Sequence, residues 1–412
     1  MEKFKSYRCS VCGKTYEPHE VTYTCPADGG NLDIILDYQG INKEYSPEKI
    51  TASGDQSHWR YLPLLPVDDP GLQGTPLRSV GWTPAYQPKA LADELKLEQL
   101  WVKDDGRNPT ASFKDRASSV VIARAREIGA EVVVTASSGN AGAALAGMAA
   151  AAKQDTVIFV PKAAPQAKVA QLLVFGARVF LVDGVYDDAV KLSMLAAEEF
   201  GWYSRNTGYN PFTVEGKKTA GFEIWEQVIY RGNLKKPLTV FVPVGDGNIV
   251  SGIHKGFKDL KELGWLDQMP RIFGVQPEGS ASVANAFFAG TEEIKPVAAK
   301  TIADSVSVDM PNDGLRALRA ATQTGGRYIT VADDHILKAI ARLGLEGIFA
   351  EPAAASAYTG LENAVEQGFI EPGDPVLVML TGSGLKDVKA AISAVKAAPI
   401  VKPTLEAFKK VL

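Results

Sequence analysis

The chain has 412 residues, 46% of them hydrophobic and 22% charged, a balance that suits a soluble globular protein with room for two domains. Its 44 basic and 48 acidic residues give a formal charge of -4 and are spread evenly, which argues against a nucleic-acid or anionic-membrane surface as the main partner and leaves a small molecule. No apolar run reaches the ~18 residues needed to cross a bilayer, and Met1-Glu2-Lys3-Phe4-Lys5 lacks a secretory apolar stretch, so a cytoplasmic location is expected.

Residues 1–35 form a separate piece. C-S-V-C (9–12) followed by C-P-A-D (25–28) has the spacing of a zinc ribbon whose fourth cysteine is an aspartate. Cys9, Cys12, Cys25 and Asp28 are thus either a thiolate–carboxylate site for a structural zinc or a ribbon that has lost its metal and holds its shape by packing. Three cysteines confined to this segment fit a reducing compartment, not a disulfide framework. A polar linker is expected from there to about Trp59, and then a turn at G-W-T-P (81–84).

From Leu97 onward, short apolar runs alternate with helix-length stretches. Strands are predicted at 100–103, 132–135, 156–160, 179–182, 239–244, 272–275 and 376–381, with helices at 140–153, 166–175 and 214–228 among others. Apolar strands without polar alternation imply mostly parallel sheets covered on both faces. Their number exceeds one comfortable sheet, so the expected fold class is α/β: two open α/β domains with a cleft between them.

Three strand-to-helix turns lie where such sheets hold ligands. They are S-S-G-N-A-G (137–142), V-G-D-G-N-I (244–249) and T-G-S-G-L-K-D (381–387), each able to aim backbone N–H groups at a carboxylate or phosphate. Neither the Walker pattern nor a G-x-G-x-x-G spacing is present. The four histidines fall outside all three loops and read as surface or packing residues. One lysine stands out: Lys114, in N-P-T-A-S-F-K-D-R (108–116), sits in the first turn of a helix expected to begin after small capping hydroxyls, where the helix end disfavours a cation. A lysine beside anion-binding loops fits Schiff-base chemistry with a phosphorylated aldehyde cofactor.

N-P-T-A-S-F-K-D-R, T-A-S-S-G-N-A-G, N-P-F-T-V-E-G-K-K-T (210–219), P-V-G-D-G-N-I, G-I-F-A-E-P-A-A-A-S (347–356) and T-G-S-G-L-K-D occur in the order seen in threonine synthases. The cysteine ribbon and W-R-Y-L-P-L-L-P (59–66) are similar as well, so the chain resembles the tryptophan-synthase-β-like, fold type II pyridoxal-phosphate enzymes along nearly its whole length. The resemblance implies pyridoxal 5'-phosphate on Lys114, with Asn140 at the cofactor's phenolic oxygen. Gly245, Asp246, Gly247, Asn248 and Ile249 would sit around its phosphate, and Thr381 at its ring nitrogen. Ser137, Ser138 and Gly139 would hold the substrate carboxylate. It implies a large cofactor domain of residues 36–114 and 207–412, a small mobile domain of 115–206, and a homodimer acting on an amino-acid phosphoester.

The implied reaction turns O-phospho-L-homoserine and water into L-threonine and phosphate. Related alternatives are a β-replacing synthase on O-phosphoserine and a threonine or serine dehydratase, and a non-catalytic binding paralogue is the alternative of another class. Of three departures, a phosphate loop one residue short leaves the cofactor secure, whereas T-G-S-G in place of T-G-H-G and Thr213 where relatives carry a phosphate-clamping arginine bear on the substrate. Lys217, Lys218 or Arg205 could supply the missing charge. With Lys217 one helical turn beyond Thr213, it is the expected substrate-binding cation.

Overall fold

The computed structural model, which describes residues 3–232 and 234–412, contains three sheets. The first is a small antiparallel ribbon of β1 (Phe4–Cys9), β2 (Thr15–Tyr16) and β3 (Leu32–Leu36), in the order β2-β1-β3. Its inward side chains Phe4, Tyr7, Leu32, Ile34 and Leu36 join the main core. The ribbon is therefore packed onto the body.

The segment expected to be a polar linker is instead folded against that body. It forms helices Tyr38–Glu44 and Pro47–Thr51 and buries Ser57, His58, Trp59 and Arg60. Aromatic and amphipathic side chains spaced among the polar ones supply the apolar contacts that composition alone concealed.

The largest sheet uses β4 (Ala85–Tyr86), β5 (Leu100–Asp104), β10 (Thr239–Pro243), β11 (Arg271–Pro277), β12 (Arg327–Val331) and β13 (Val376–Leu380). Their order is β12-β11-β10-β13-β5-β4, all parallel except the β4–β5 pair. The third sheet is parallel throughout, β8-β7-β6-β9, from β6 (Val132–Ala136), β7 (Asp155–Pro161), β8 (Arg178–Val182) and β9 (Tyr203–Ser204).

Both faces of the large sheet are dry, which is why its strands read as continuous apolar runs. Val240, Val242, Leu377 and Met379 pack on one side with helices Lys114–Glu127, Phe212–Ile224 and Asn248–Glu262. Phe241, Val376, Val378 and Leu380 pack on the other with Asp333–Leu345 and Pro352–Glu366. In the smaller sheet Val132, Val134 and Phe159 meet helix Tyr186–Phe200, while Ile158 and Val160 meet Asn140–Ala152 and Gln166–Val174.

The helices nearest the cleft come unusually close. A Cβ on Gly216 would fall 2.0 Å from the carbonyl oxygen of Arg116, so only glycine lets Phe212–Ile224 cross Lys114–Glu127 at that spacing. Among the described residues no helix is long and apolar enough to cross a membrane.

Candidate active site at the carboxyl edge of the large sheet

The strand order puts three loops side by side. β5 lies next to β13, and β13 next to β10. Their carboxyl ends therefore deliver the segment leading to Lys114, the turn at Thr381 and the glycine turn at 244–248 to one edge. An isolated bridge between Ser112 and Gly382, with Ser383 N donating to Ala111 O at 3.1 Å, ties the first loop to the second. Ala111 takes a left-handed backbone there, φ 63°, a conformation an alanine adopts only when its surroundings enforce it.

Lys114 opens its helix, but no small hydroxyl caps it. The cap position is Phe113, and the carboxylate of Asp115 reaches back instead, accepting from Thr110 N at 2.6 Å and from the Thr110 hydroxyl. A first-turn carboxylate suits the positive helix end, which a lysine does not. One residue further, buried Arg116 meets Asp105 at 2.5 Å and Glu223 at 2.5 Å, while Lys103 of β5 also reaches Glu223, at 2.7 Å. This network anchors the helix start to the large sheet. The Lys114 amine itself makes no hydrogen bond among the described residues, and burial holds its pKa below the usual lysine value, opposed by Glu351 and assisted by Arg205.

The loop after β6 meets the large-sheet side at Glu351, the carboxylate that acts on Lys114. Ser137 Oγ accepts from Gly139 N at 3.2 Å, and a Cβ added at Gly139 would meet only that hydroxyl, at 4.0 Å. Asn140, the first residue of its helix, donates Nδ2 to both oxygens of Glu351 at 3.0 Å. A small cavity of about 30 Å³ lies between these elements, lined by Ser138, Gly139, Asn140, Ser305, Glu351 and Lys386 among others. Thr381 is buried at the end of β13, and its hydroxyl has no partner among the described residues.

The glycine turn ends in Gly247, φ 88°, which starts helix Asn248–Glu262. A side chain there would be strained and would strike Asp313 O, 2.6 Å from an added Cβ. Asp246 accepts from Asn312 N at 2.7 Å, and its other oxygen has no partner. Burial raises the pKa of this carboxyl, reducing the negative charge beside the helix start. Ile249 follows in the first turn, partly buried against the core. Lys217 Nζ donates to Asn248 Oδ1, which also accepts from the Thr213 hydroxyl at 3.2 Å, so Thr213 and Lys217 do share a face. Lys218 points elsewhere, into Glu215 and Asp259.

Cys9, Cys12, Cys25 and Asp28 come together in the ribbon, their ligand atoms all within 4.8 Å of one another. Cys12 and Cys25 Sγ stand 3.8 Å apart, a separation that suits two thiolates on one tetrahedral ion. The ribbon is not remote from the cleft. Asp33 on β3 pairs with Arg316 at 2.8 Å, Arg316 with Asp313 at 2.6 Å, and Asp313 accepts from Asn248 Nδ2 at 2.8 Å.

Sequence reasoning passed over Glu351, although it stands in the G-I-F-A-E-P motif. A carboxylate directly before a helix-opening proline, following the left-handed Gly347, was the available signal.

Comparison with known proteins places this geometry. The model of the pyridoxal-phosphate dependent enzyme family matches residues 77–382. The chain is 38% identical over 408 residues to a threonine synthase of Methanocaldococcus jannaschii and 35% identical over 408 residues to one of Methanosarcina acetivorans, in each case across 98% of both chains. A bacterial threonine synthase from Bacillus sp. is 35% identical over 81% of this chain and 91% of its own. Among solved structures, the processed form of threonine deaminase isoform 2 from Solanum lycopersicum superposes with a TM-score of 0.67 and 24% identity, covering 84% of this chain and 95% of that one, which establishes a common fold. By sequence, by fold and by the loops gathered around Lys114, the chain belongs to the pyridoxal-phosphate dependent enzyme family.

Proposed function

We propose that the protein is a pyridoxal 5'-phosphate-dependent threonine synthase, converting O-phospho-L-homoserine and water to L-threonine and phosphate. The observation that carries this reading is similarity to two archaeal threonine synthases across 98% of both chains, and the buried, unpartnered amine of Lys114 supports it.

The residues fit the cofactor. Lys114 would offer a free amine, the Gly247–Asn248 turn unpaired N–H groups to a phosphate, and Thr381 its hydroxyl to the ring nitrogen. When bound, pyridoxal phosphate supplies an electron sink for negative charge developing beside the substrate's amino group. Lys114 is the group that moves protons: burial favours its neutral form, so it can accept one and return it at the adjacent carbons. Thr381, a neutral hydroxyl, adds no charge to the ring. Ser137, Ser138 and Gly139 hold the substrate carboxylate through hydroxyl and backbone donors. Asn140, held by Glu351, would sit at the cofactor's phenolic oxygen.

Residues 36–114 with 207–412 form the cofactor domain in this reading, 1–35 the ribbon, and 115–206 a smaller domain that closes on the substrate. Asn140 and Glu351 meet across that division, and Lys168 meets Asp304 at 2.6 Å. A homodimer in the cytoplasm completes the reading; exposed apolar side chains such as Leu345 and Leu385 are surface that pairing could cover. The deciding experiment supplies purified protein with O-phospho-L-homoserine and quantifies threonine and phosphate. Equimolar release supports the reading. No threonine there, with turnover of O-phosphoserine plus sulfide or sulfite, overturns it.

A further inference from the structure

Helix Tyr186–Phe200 is built inside out. It lies on the small sheet through Ala189, Ser193 and Ala196, three small residues, and turns Leu192, Met194 and Leu195 to solvent, Leu195 with 52% of its surface exposed. A surface helix ordinarily buries its large apolar side chains, so an outward apolar face of this kind marks a place for a partner. A shallow depression of about 420 Å³ runs along it between Asp187 and Glu198, lined by Val190, Met194 and Leu195. The face is acidic, with four carboxylates against Lys191. Asp187 and Asp188 stand in the first turn, which suits the positive helix end. Glu198 and Glu199 stand in the last turn, where the negative end disfavours them and no basic residue is present.

The same chain carries the complement. Beyond helix Val388–Ser393, residues 395–412 are exposed apart from half-buried Ala407. Within them Leu405, Phe408 and Leu412 follow at i, i+3 and i+7, the spacing of anchors that an amphipathic helix lays into a groove, and Leu412 is 90% exposed. Helix Leu405–Lys409 spans five residues, too few to hold in water without tertiary contacts. Lys396, Lys402, Lys409 and Lys410 against Glu406 make the segment basic. Its one ion pair among the described residues, Lys410 with Glu406 at 3.5 Å, is internal. Lys402 precedes the anchors and Lys409 and Lys410 lie among the last of them, an order that matches carboxylates at both ends of the helix face.

We propose that residues 395–412 of one copy dock on helix Tyr186–Phe200 of a second copy, and that the exchange is reciprocal. Opposite charge and matching apolar stripes favour the contact. Within one chain the geometry stands against it. Lys386, at the root of the segment, donates to Gln171 Oε1 at 3.1 Å, on the side of the small sheet that helix Gln166–Val174 covers, while Tyr186–Phe200 covers the other face. Two complementary surfaces set on opposite faces of one chain are both satisfied when two copies trade them about a two-fold axis, and the contact is then made twice. Lysines brought to Glu198 and Glu199 also supply the cations that this helix end lacks. The contact lies outside the cleft and does not depend on the reaction proposed above.

Sedimentation velocity of the cofactor-loaded, full-length protein over a dilution series tests the exchange. Lys409→Glu with Lys410→Glu reverses the segment, and Glu198→Lys with Glu199→Lys reverses the helix face; all four side chains are exposed. Each double variant alone sets like charges against one another, and its dimer dissociation constant rises at least about tenfold. An equimolar mixture of the two forms mixed dimers of the parent's strength, since each then offers the other the opposite charge. The quadruple variant recovers for the same reason. Unchanged dissociation constants in both double variants overturn the exchange, and so does a parent that stays monomeric. Double variants that weaken alone and do not recover on mixing also overturn it, by placing the contact within one chain. Threonine formation is measured separately: a protein that associates as described and makes no threonine refutes the proposed reaction and leaves the interface standing, and the converse refutes only the interface.

Discussion

Asn140 Nδ2 stands 3.0 Å from each carboxylate oxygen of Glu351, closing a contact between the loop after β6 and the start of helix Pro352–Glu366. Besides holding the amide, the carboxylate favours the protonated form of Lys114, opposing the effect of burial. Glu351→Gln removes that charge and one of the two acceptors. The limb of the kcat/KM profile that reports loss of the Lys114 proton should move to lower pH, and kcat/KM at its optimum should fall about ten- to a hundredfold, the worth of a charged hydrogen bond. An unmoved limb would show that Glu351 does not act on the lysine.

Lys114→Ala should lose the visible absorbance of the bound cofactor and reduce turnover by at least about a thousandfold, because covalent attachment and proton transfer disappear together. The fold should not suffer. Removing an unpartnered amine relieves both its desolvation and its repulsion with Arg205, so the cofactor-free variant should melt no lower than cofactor-free parent. Retained turnover near the parent's level would contradict the assignment.

His58 governs an acid-side effect. It is buried between hydroxyls, Nδ1 at 3.3 Å from Thr219 Oγ1 and Nε2 at 3.1 Å from Ser119 Oγ, and burial with Arg116 nearby lowers its pKa to about 3. The unfolded chain, with an ordinary histidine near ~6.5, binds the proton more readily. Stability is therefore fully present above pH ~6.5 and is lost as pH falls from there toward 3. Denaturant melts of the parent and of His58→Gln between pH 4 and 7 should show a shallower acid decline in the variant. Parallel curves would rule out His58 as a source.

For the ribbon, we expect about one zinc per chain by elemental analysis, held by Cys9, Cys12, Cys25 and Asp28. Chelation should lower the melting temperature, since a structural metal's binding energy is part of folding. Asp28→Cys completes a four-thiolate set and should slow metal loss to a chelator. A chain that purifies metal-free and melts identically with and without zinc would leave packing as the ribbon's sole support.

The buried strands were legible because both faces of their sheets are dry, so β5, β6, β7, β10 and β13 are apolar runs with turns at their ends. β2, β4 and β9 have two residues each, too few to carry a period. β12, Arg327–Val331, sits at the sheet edge and mixes charged and polar residues with apolar ones. The glycine loops could be read because a left-handed turn is a local demand. Glu351 and the contact of Lys217 with Asn248 could not: their meaning lies in which partners the fold brings, and adjacency along the chain carries no such information.

The run of contacts from Asp33 through Arg316 and Asp313 to Asn248 has a practical corollary for anyone trimming the protein. Excising the first 36 residues would take away Asp33 and leave Arg316 with Asp313 as its remaining anion. The guanidinium would then draw more strongly on the carboxylate that steadies the Asn248 amide. A shortened chain would keep every residue proposed to touch cofactor or substrate, yet the perch of Lys217 would be reset by the loss of a segment that touches neither.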